Sequence, residues 1–238
     1  MIKSKIQSLS IIFPFYNEEK RIKRSLKKIN KLFSIFKNCD LEIILVNDGS
    51  DDKSENYVKK NQNNKIKYIF YKKNKGKGFA LKKGVEVASK DWILTCDIDF
   101  AANPINIINW INKKYIKSYN DCYFGSRNIK NSAVKFRYIR KIIGFIFSII
   151  RNLLFNIKVK DSQCGFKLYP KKIAKKTFSK LIANGYIHDV EIFILLKKYK
   201  IKYHELPITW VHVNQGKVNI FFDSLIMLFQ LIFLKLKY

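Results

Sequence analysis

Residues 92–100 of this 238-residue chain read WILTCDIDF, an apolar run that leads directly into two aspartates separated by one residue. Such a run is typical of a β-strand buried on both faces. Residues 9–18 (LSIIFPFYNE) and 41–50 (LEIILVNDGS) have the same organisation. The three stretches predict parallel strands with polar residues at their carboxyl ends, which is the edge where open α/β sheets bind ligands.

Helical patterns separate these strands. Apolar residues recur at helical spacing over 22–33, a further helix is predicted over 76–88, and Pro104 begins another. Residues 67–71 and 121–124 add two strands. The βαβαβαβ order predicts one α/β domain with a Rossmann-like, mostly parallel sheet flanked by helices.

The composition excludes disordered and collagen-like classes, because 47% of the residues are hydrophobic. Lys and Arg number 47 against 18 Asp and Glu, so the formal charge is +29. An acidic substrate, a nucleic acid or an anionic membrane are all compatible partners. Only six of the 47 basic residues are arginines, and drift towards lysine on solvated surfaces explains the excess equally well.

The cysteines are scattered and form no CxxC pair, and no histidine stands at zinc spacing to them. This pattern predicts reduced thiols in a cytosolic compartment rather than disulfides or a zinc site.

Two apolar stretches, 142–157 and 220–234, interrupt the α/β pattern. As a helix, 15 residues span about 22 Å, which is less than the roughly 30 Å hydrocarbon core of a bilayer. Either the helices are buried in the core, or they lie in a membrane interface. Flanking lysines favour the interface. We therefore predict a domain over 1–218 with a membrane-interface insert at 136–158, and a membrane-associating helix over 219–238.

Asp97 and Asp99 follow a buried strand and alternate along it, so both carboxylates can reach one cation. One or two carboxylates completed by phosphate oxygens are a usual Mg²⁺ arrangement. Asn47 and Asp48 also end a strand, where they can form an ordinary turn or accept a hydrogen bond from a nucleobase. Residues 74–78 (NKGKG) can hold a phosphate at a helix start but lack the P-loop spacing.

In order, these motifs resemble family 2 glycosyltransferases of the GT-A fold, above all the dolichyl-phosphate β-glucosyltransferase branch and then the dolichyl-phosphate mannose synthases. The stretches that carry the resemblance are IIFPFYNEEKRI (11–22), EIILVNDGSDD (42–52), NKGKGFALKKGVEVA (74–88), LTCDIDF (94–100), FGSRN (124–128), VKDSQCGFKLYP (159–170), GYIHDVEIF (185–193) and ELPITWVHVNQGKV (205–218). DSQCGFKLY, between GSR and HDVE, is the most specific of them.

The resemblance implies a role for each matching position. It implies that the nucleotide pocket is lined by Pro14, Tyr16, Glu18 and Asp48, and that the nucleotide sugar is bordered by Lys77 and Gly78. It implies Mg²⁺ or Mn²⁺ bound by Asp97 and Asp99. It also implies that Arg127, Gln163 and Lys167 face the phosphates, and that the sugar and acceptor lie near Asp189 and Glu191. Catalysis would rest on Asp189, Asp99 and Arg127.

Three single positions and one short segment depart from the family pattern. The segment is GSK-like in the family and is reduced to Gly216 and Lys217 in this chain. Asn47 stands where Asp is more usual, Phe100 where a small residue is usual, and His188 where an aromatic is usual. The first bears on the nucleobase contact, and the other two bear on the choice of sugar.

The implied activity is metal-dependent, inverting transfer of a hexose, with glucose and UDP-glucose favoured, to a polyprenyl or dolichyl phosphate. The enzyme would attach to the cytosolic face of a membrane, either peripherally at the interface or through a re-entrant segment. A GDP-mannose donor or a glycan acceptor would use the same fold. The charge alone also suggests a nucleic-acid-binding module, but no nucleic-acid-binding motif is present, so no nucleic-acid partner is expected.

Overall fold

The structure, a computed structural model, describes residues 6–61, 64–134, 138–211 and 220–238. The helices are α1 (Glu19–Ile35), α2 (Ser54–Lys59), α3 (Lys77–Val87), α4 (Asn106–Asn112), α5 (Tyr138–Phe155), α6 (Lys171–Ser179), α7 (His188–Lys198) and α8 (Ile220–Lys237). The strands are β1 (Ser8–Phe15), β2 (Asp40–Asn47), β3 (Ile66–Phe70), β4 (Trp92–Thr95), β5 (Cys122–Ser126), β6 (Ala133–Val134), β7 (Lys167–Pro170), β8 (Tyr203–Pro207) and β9 (Thr209–Trp210).

Seven strands form one sheet in the order β3-β2-β1-β4-β7-β5-β8. The pairs among β1 to β4 and the pair of β5 with β8 are parallel, whereas β7 runs antiparallel between β4 and β5. The mostly parallel α/β sheet predicted from the sequence is confirmed. Strand β7 was not predicted, because it is four residues long and contains Lys167.

Both faces of the sheet are covered, which explains why its strands are continuously apolar. On one face, Leu9 and Ile11 of β1 pack in a cluster with Ile22 and Leu26 of α1. On the other face, Ile12 packs in a cluster with residues of α3, α6 and α7. The helical spacing predicted over 22–33 is therefore the buried stripe of α1.

The two apolar stretches form α5 and α8, which pack against each other. Leu231 and Leu234 of α8 are fully buried in the cluster that contains α7. Opposite sides are exposed: Phe145 by 66% and Leu153 by 81% in α5, and Phe229 by 70% and Leu236 by 82% in α8. Phe147 and Arg151 of α5 are buried as well. Each helix therefore has a buried side, as packing in the core requires, and an exposed apolar side, as contact with a membrane interface requires.

Among the described residues, no helix combines the length and the apolarity that crossing a bilayer demands. The predicted boundary at 218/219 lies outside the described residues, and so does the end of the 205–218 motif from residue 212 onward.

Gly84 of α3 tests the packing between helix and sheet. A Cβ at this position would lie 2.4 Å from Cγ2 of Ile12 and 3.2 Å from Cγ2 of Val46. We expect Gly84→Ala to lower the free energy of unfolding by about 1–3 kcal/mol through overpacking, as measured by urea denaturation. The control is Gly144→Ala in α5, where a Cβ meets no atom within 4 Å. It should leave stability unchanged or raise it by up to about 1 kcal/mol, and equal losses in the two variants would contradict this packing.

Candidate functional site

The polar residues that end β1, β2 and β4 lie along one edge of the sheet, because parallel strands present their carboxyl ends together. Two helix starts, those of α3 and α7, and the 161–166 loop before β7 complete this edge. Ion pairs between side chains of these segments join them into one site.

Asp97 and Asp99 are half-buried beyond β4, and each faces a cation. Lys77 Nζ, at the start of α3, lies 2.5 Å from Oδ1 of Asp97. Arg21 Nη1, in α1, lies 3.9 Å from Oδ2 of Asp99. Burial and the neighbouring Asp97 carboxylate raise the pKa of Asp99. Burial alone would lower the pKa of Lys77, but Asp97 and then Asp189 raise it, so the ammonium stays charged.

These two carboxylates fit a divalent cation that is completed by substrate oxygens. The described residues contain no group of three or more His, Cys, Asp or Glu side chains able to hold a metal. A Cβ on Gly165 would lie 2.7 Å from Oδ2 and 2.9 Å from Oδ1 of Asp97, so glycine is what leaves this carboxylate its space. Two carboxylates leave the other coordination positions of a cation to substrate oxygens, as is usual for Mg²⁺ or Mn²⁺ bound through a diphosphate.

A second ion pair joins β7 to α7. The buried ammonium of Lys167 contacts Oδ1 of Asp189 and also donates to the carbonyls of Ser162 and Cys164, at 3.1 and 2.7 Å. Burial alone would raise the pKa of Asp189, but Lys167, His188 and Lys77 lower it below its usual value. A carboxylate held as the anion in this way is a weak proton acceptor at neutral pH.

His188 is completely buried beside this pair. Its Nδ1 donates to the carbonyl of Gly185 at 2.7 Å, and its Nε2 lies 3.6 Å from Oδ1 of Asp189. Desolvation lowers the pKa of His188, so the ring is neutral near pH 7.

Arg127 follows β5 and forms a two-pronged ion pair with Asp161, at 2.7 and 2.8 Å. Its guanidinium also lies 5.6 Å from the centre of the Trp210 ring. Gln163, two residues after Asp161 in the same loop, has a buried Nε2 with no hydrogen-bond partner. A buried amide donor without a partner is unusual and fits an incoming phosphate oxygen.

Asp48 organises the glycine-containing turn at the start of α3. Its carboxylate accepts hydrogen bonds from the side chains of Tyr71 and Asn74 and from the backbone N–H groups of Lys75 and Gly76, all between 2.6 and 3.0 Å. The turn requires Gly76, because its φ is +98° and a Cβ there would lie 2.5 Å from the carbonyl oxygen of Asn184.

The other expected pocket residues lie around the ends of β1 and β2. Pro14 is in β1, and Tyr16 follows the strand with 37% of its surface exposed. Glu18 forms a two-pronged pair with Arg21, with both distances 2.6 Å. Asn47 is fully buried, and its side chain donates to Tyr68 and accepts from the N–H of Ser50.

The contacts bring Lys77, Asp97, Asp99, Lys167 and Asp189 together, while Asp48 and Arg127 hold neighbouring segments in place. Two residues of this site, Arg21 and Asp161, were not predicted from the sequence. Arg21 is three residues after Glu18 on α1, and this spacing could have indicated their pairing. Asp161 pairs with a residue 34 positions away, for which the sequence carries no local signal.

Comparisons with known proteins identify relatives that match nearly the whole chain. The sequence pattern of the family described as Glycosyl transferase family 2 matches residues 10–178. The dolichyl-phosphate beta-glucosyltransferase of Dictyostelium discoideum is 30% identical over 97% of this chain and 74% of its own length. The enzyme of the same name from Homo sapiens is 29% identical over 99% of this chain and 77% of its own length.

Among solved structures, glucosyl-3-phosphoglycerate synthase from Mycobacterium tuberculosis, in complex with Mn²⁺, UDP and glucosyl-3-phosphoglycerate, superposes with a TM-score of 0.63. The match covers 95% of this chain and 77% of that one at 19% identity. This match shows that the two proteins share a fold.

Replacing Lys167 with methionine tests the buried pair. We expect Lys167→Met to destabilise the protein by about 3–5 kcal/mol at pH 7, because it leaves the Asp189 carboxylate buried without its cation. In the native protein the lowered pKa of Asp189 stabilises the fold at neutral pH, and this contribution is lost as the pH falls through that pKa. In the variant, burial raises the pKa of Asp189 against only His188 and Lys77, so this pKa is higher than in the native protein and the destabilisation should shrink in acid.

The measurement is urea denaturation between pH 7 and pH 4. Lys90→Met, which removes an exposed pair with Asp40, is the control and should cost less than about 1 kcal/mol. A loss for Lys167→Met that is equally small, or independent of pH, would contradict the role given to this pair.

Proposed function

The chain belongs to glycosyl transferase family 2, and we propose that it transfers glucose from UDP-glucose to a dolichyl or other polyprenyl phosphate. The curated relatives that match nearly the whole chain are named for glucose transfer to dolichyl phosphate. The structural neighbour with Mn²⁺ and UDP supports a nucleotide-sugar donor bound with a divalent cation.

The donor diphosphate would lie over Asp97 and Asp99, with Lys77 beside them. Mg²⁺ or Mn²⁺ bound by these carboxylates would supply charge neutralisation for the leaving UDP. Lys77, whose pKa is raised by Asp97 and Asp189, would present its ammonium to the same phosphates, and the Nε2 of Gln163 would add a hydrogen-bond donor. The nucleoside would extend towards Pro14, Tyr16, Glu18 and Asp48.

The single observation that carries the choice of acceptor is that Asp189 is held as an anion by Lys167. An alcohol acceptor needs a base to remove its proton, and a carboxylate of lowered pKa is poorly suited to that task. A phosphate monoester is already ionised near neutrality, since its second pKa is about 6. Asp189 would therefore orient the sugar and acceptor.

The reaction follows as one displacement. A phosphate oxygen of the acceptor forms a bond to the anomeric carbon while the bond from that carbon to the UDP oxygen breaks. The anomeric configuration inverts, so an α-linked donor gives a β-linked glycosyl phospholipid. The enzyme supplies alignment and positive charge around three phosphates.

The lipid acceptor would reach the site from a membrane on which the protein lies. The exposed apolar sides of α5 and α8 offer a surface for the membrane interface. Lys235 and Lys237 in the last turn of α8 add attraction to anionic headgroups, worth about 1 kcal/mol for each lysine. We propose peripheral attachment on the cytosolic side, where nucleotide sugars are available.

The activity is tested by nucleotide release. Purified protein is incubated with Mn²⁺, a polyprenyl phosphate, and UDP-glucose or GDP-mannose in parallel. We expect UDP release that depends on the lipid and falls at least about 100-fold in Asp99→Asn, because charge stabilisation of the leaving group is lost.

The matched control is Asp91→Asn, at the opposite end of β4, whose carboxylate contacts Ser8. It should retain activity. Release from GDP-mannose alone would instead assign a mannosyltransferase, and release that needs no lipid phosphate would overturn the proposed acceptor.

Membrane attachment is tested by sedimentation with vesicles that contain anionic lipid. The double variant Phe229→Glu/Leu236→Glu should bind at least about tenfold more weakly, because each side chain loses a burial energy of about 1.5–3 kcal/mol. Phe70→Glu, on β3, changes an exposed aromatic of another surface and should bind as the native protein does. Equal binding by all three proteins would contradict the assignment of this surface.

A further inference from the structure

Glu191 lies in α7, two residues after Asp189. Its side chain is completely buried. Its Oε1 accepts the N–H of Ile182 at 2.9 Å, and its Oε2 accepts the N–H of Ala183 at 2.8 Å. The carboxylate therefore fixes the segment 182–184, which leads into α7.

This segment supports the turn that carries Lys77. The carbonyl oxygen of Asn184 accepts the N–H groups of Gly78 and Phe79, at 2.7 and 3.2 Å. The contact is close, because a Cβ on Gly78 would lie 2.6 Å from the carbonyl oxygen of Ala183. Any displacement of 182–184 would therefore move the backbone of the turn, and with it the ammonium that faces Asp97.

The third hydrogen bond to Glu191 comes from a different part of the fold. The hydroxyl of Tyr238, which follows α8, donates to Oε1 of Glu191 at 2.8 Å. Gln230, within α8 itself, lies over the same region, because its side chain would be 3.8 Å from a Cβ built on Gly185. Leu231 and Leu234, on the buried side of α8, hold this helix against the core.

We propose that Tyr238 and Glu191 are positioning residues of the donor site. The hydroxyl of Tyr238 holds the Glu191 carboxylate, the carboxylate holds 182–184, and 182–184 holds the turn of Lys77. The packing of α8 thereby sets the position of the Lys77 ammonium. The assignment of that ammonium to the donor phosphates rests on the proposed function, whereas the chain of contacts does not.

The test is Tyr238→Phe, which removes one hydroxyl and keeps the ring. We expect amide hydrogen exchange to become about three- to tenfold faster at 182–183 and at 78–79, the range expected for one lost hydrogen bond. Exchange in β2 should not change, which would exclude global destabilisation. Tyr119→Phe is the matched control. Tyr119 is exposed, its ring packs on Trp92, and it is distant in sequence from both segments.

The enzymatic readout separates positioning from a general loss of structure. In Tyr238→Phe the KM for the nucleotide sugar should rise about three- to tenfold with kcat within twofold, and UDP should bind correspondingly more weakly. A merely structural role would lower kcat through loss of folded enzyme and leave KM unchanged.

Faster exchange confined to 182–183, or no change at either segment, would overturn the proposal. The exchange measurement requires no glycosyl transfer. A native protein that is inactive with every donor would therefore refute the proposed function while this proposal is still decided by the exchange at 78–79.

Discussion

Two buried or half-buried lysine–aspartate pairs hold the carboxyl edge of the sheet in one arrangement. Lys77 and Asp97 join α3 to the end of β4, and Lys167 and Asp189 join β7 to the start of α7. Several carboxylates converge at this edge, and in a low-dielectric environment they would repel one another without these cations. The pairs therefore make the concentration of negative charge compatible with a folded protein.

The same arrangement suits a diphosphate that leaves during the reaction. The charges are already fixed in position before substrate binds, so little reorganisation is required when negative charge develops on the leaving group. Asp48, Asp161 and Glu191 support the segments around these two ion pairs. Each uses its carboxylate to hold a backbone segment or an arginine that borders the site.

Much of the fold was predictable, because β1, β2 and β4 are apolar runs followed by polar turns. That pattern also located Asp97 and Asp99 at the correct edge of the sheet. Strand β7 could not be predicted, since its lysine is tolerated only through the carbonyls of Ser162 and Cys164 and the carboxylate of Asp189. The spacing of apolar residues along the sequence cannot show that a buried lysine is paired in this way.

The partners within the site were equally hidden from the sequence. Arg127 and Asp161 are 34 residues apart, and Glu191 and Tyr238 are 47 apart, so only the folded chain shows that they pair. The family resemblance named most of these positions without distinguishing residues that line the site from those that hold its walls. The roles at Arg127, Gln163 and Asp48 stay predictions about substrate contact.

The most direct measurement is calorimetric titration of the native protein with UDP-glucose, in Mn²⁺ and again in excess EDTA. If the carboxyl edge is a diphosphate site built around Asp97 and Asp99, binding in Mn²⁺ should be at least about tenfold tighter, because the cation joins the carboxylates to the phosphates. Replacing Asp97 with asparagine should abolish that difference. Equal affinity with and without the cation, or a difference unaffected by the substitution, would contradict this account of the site.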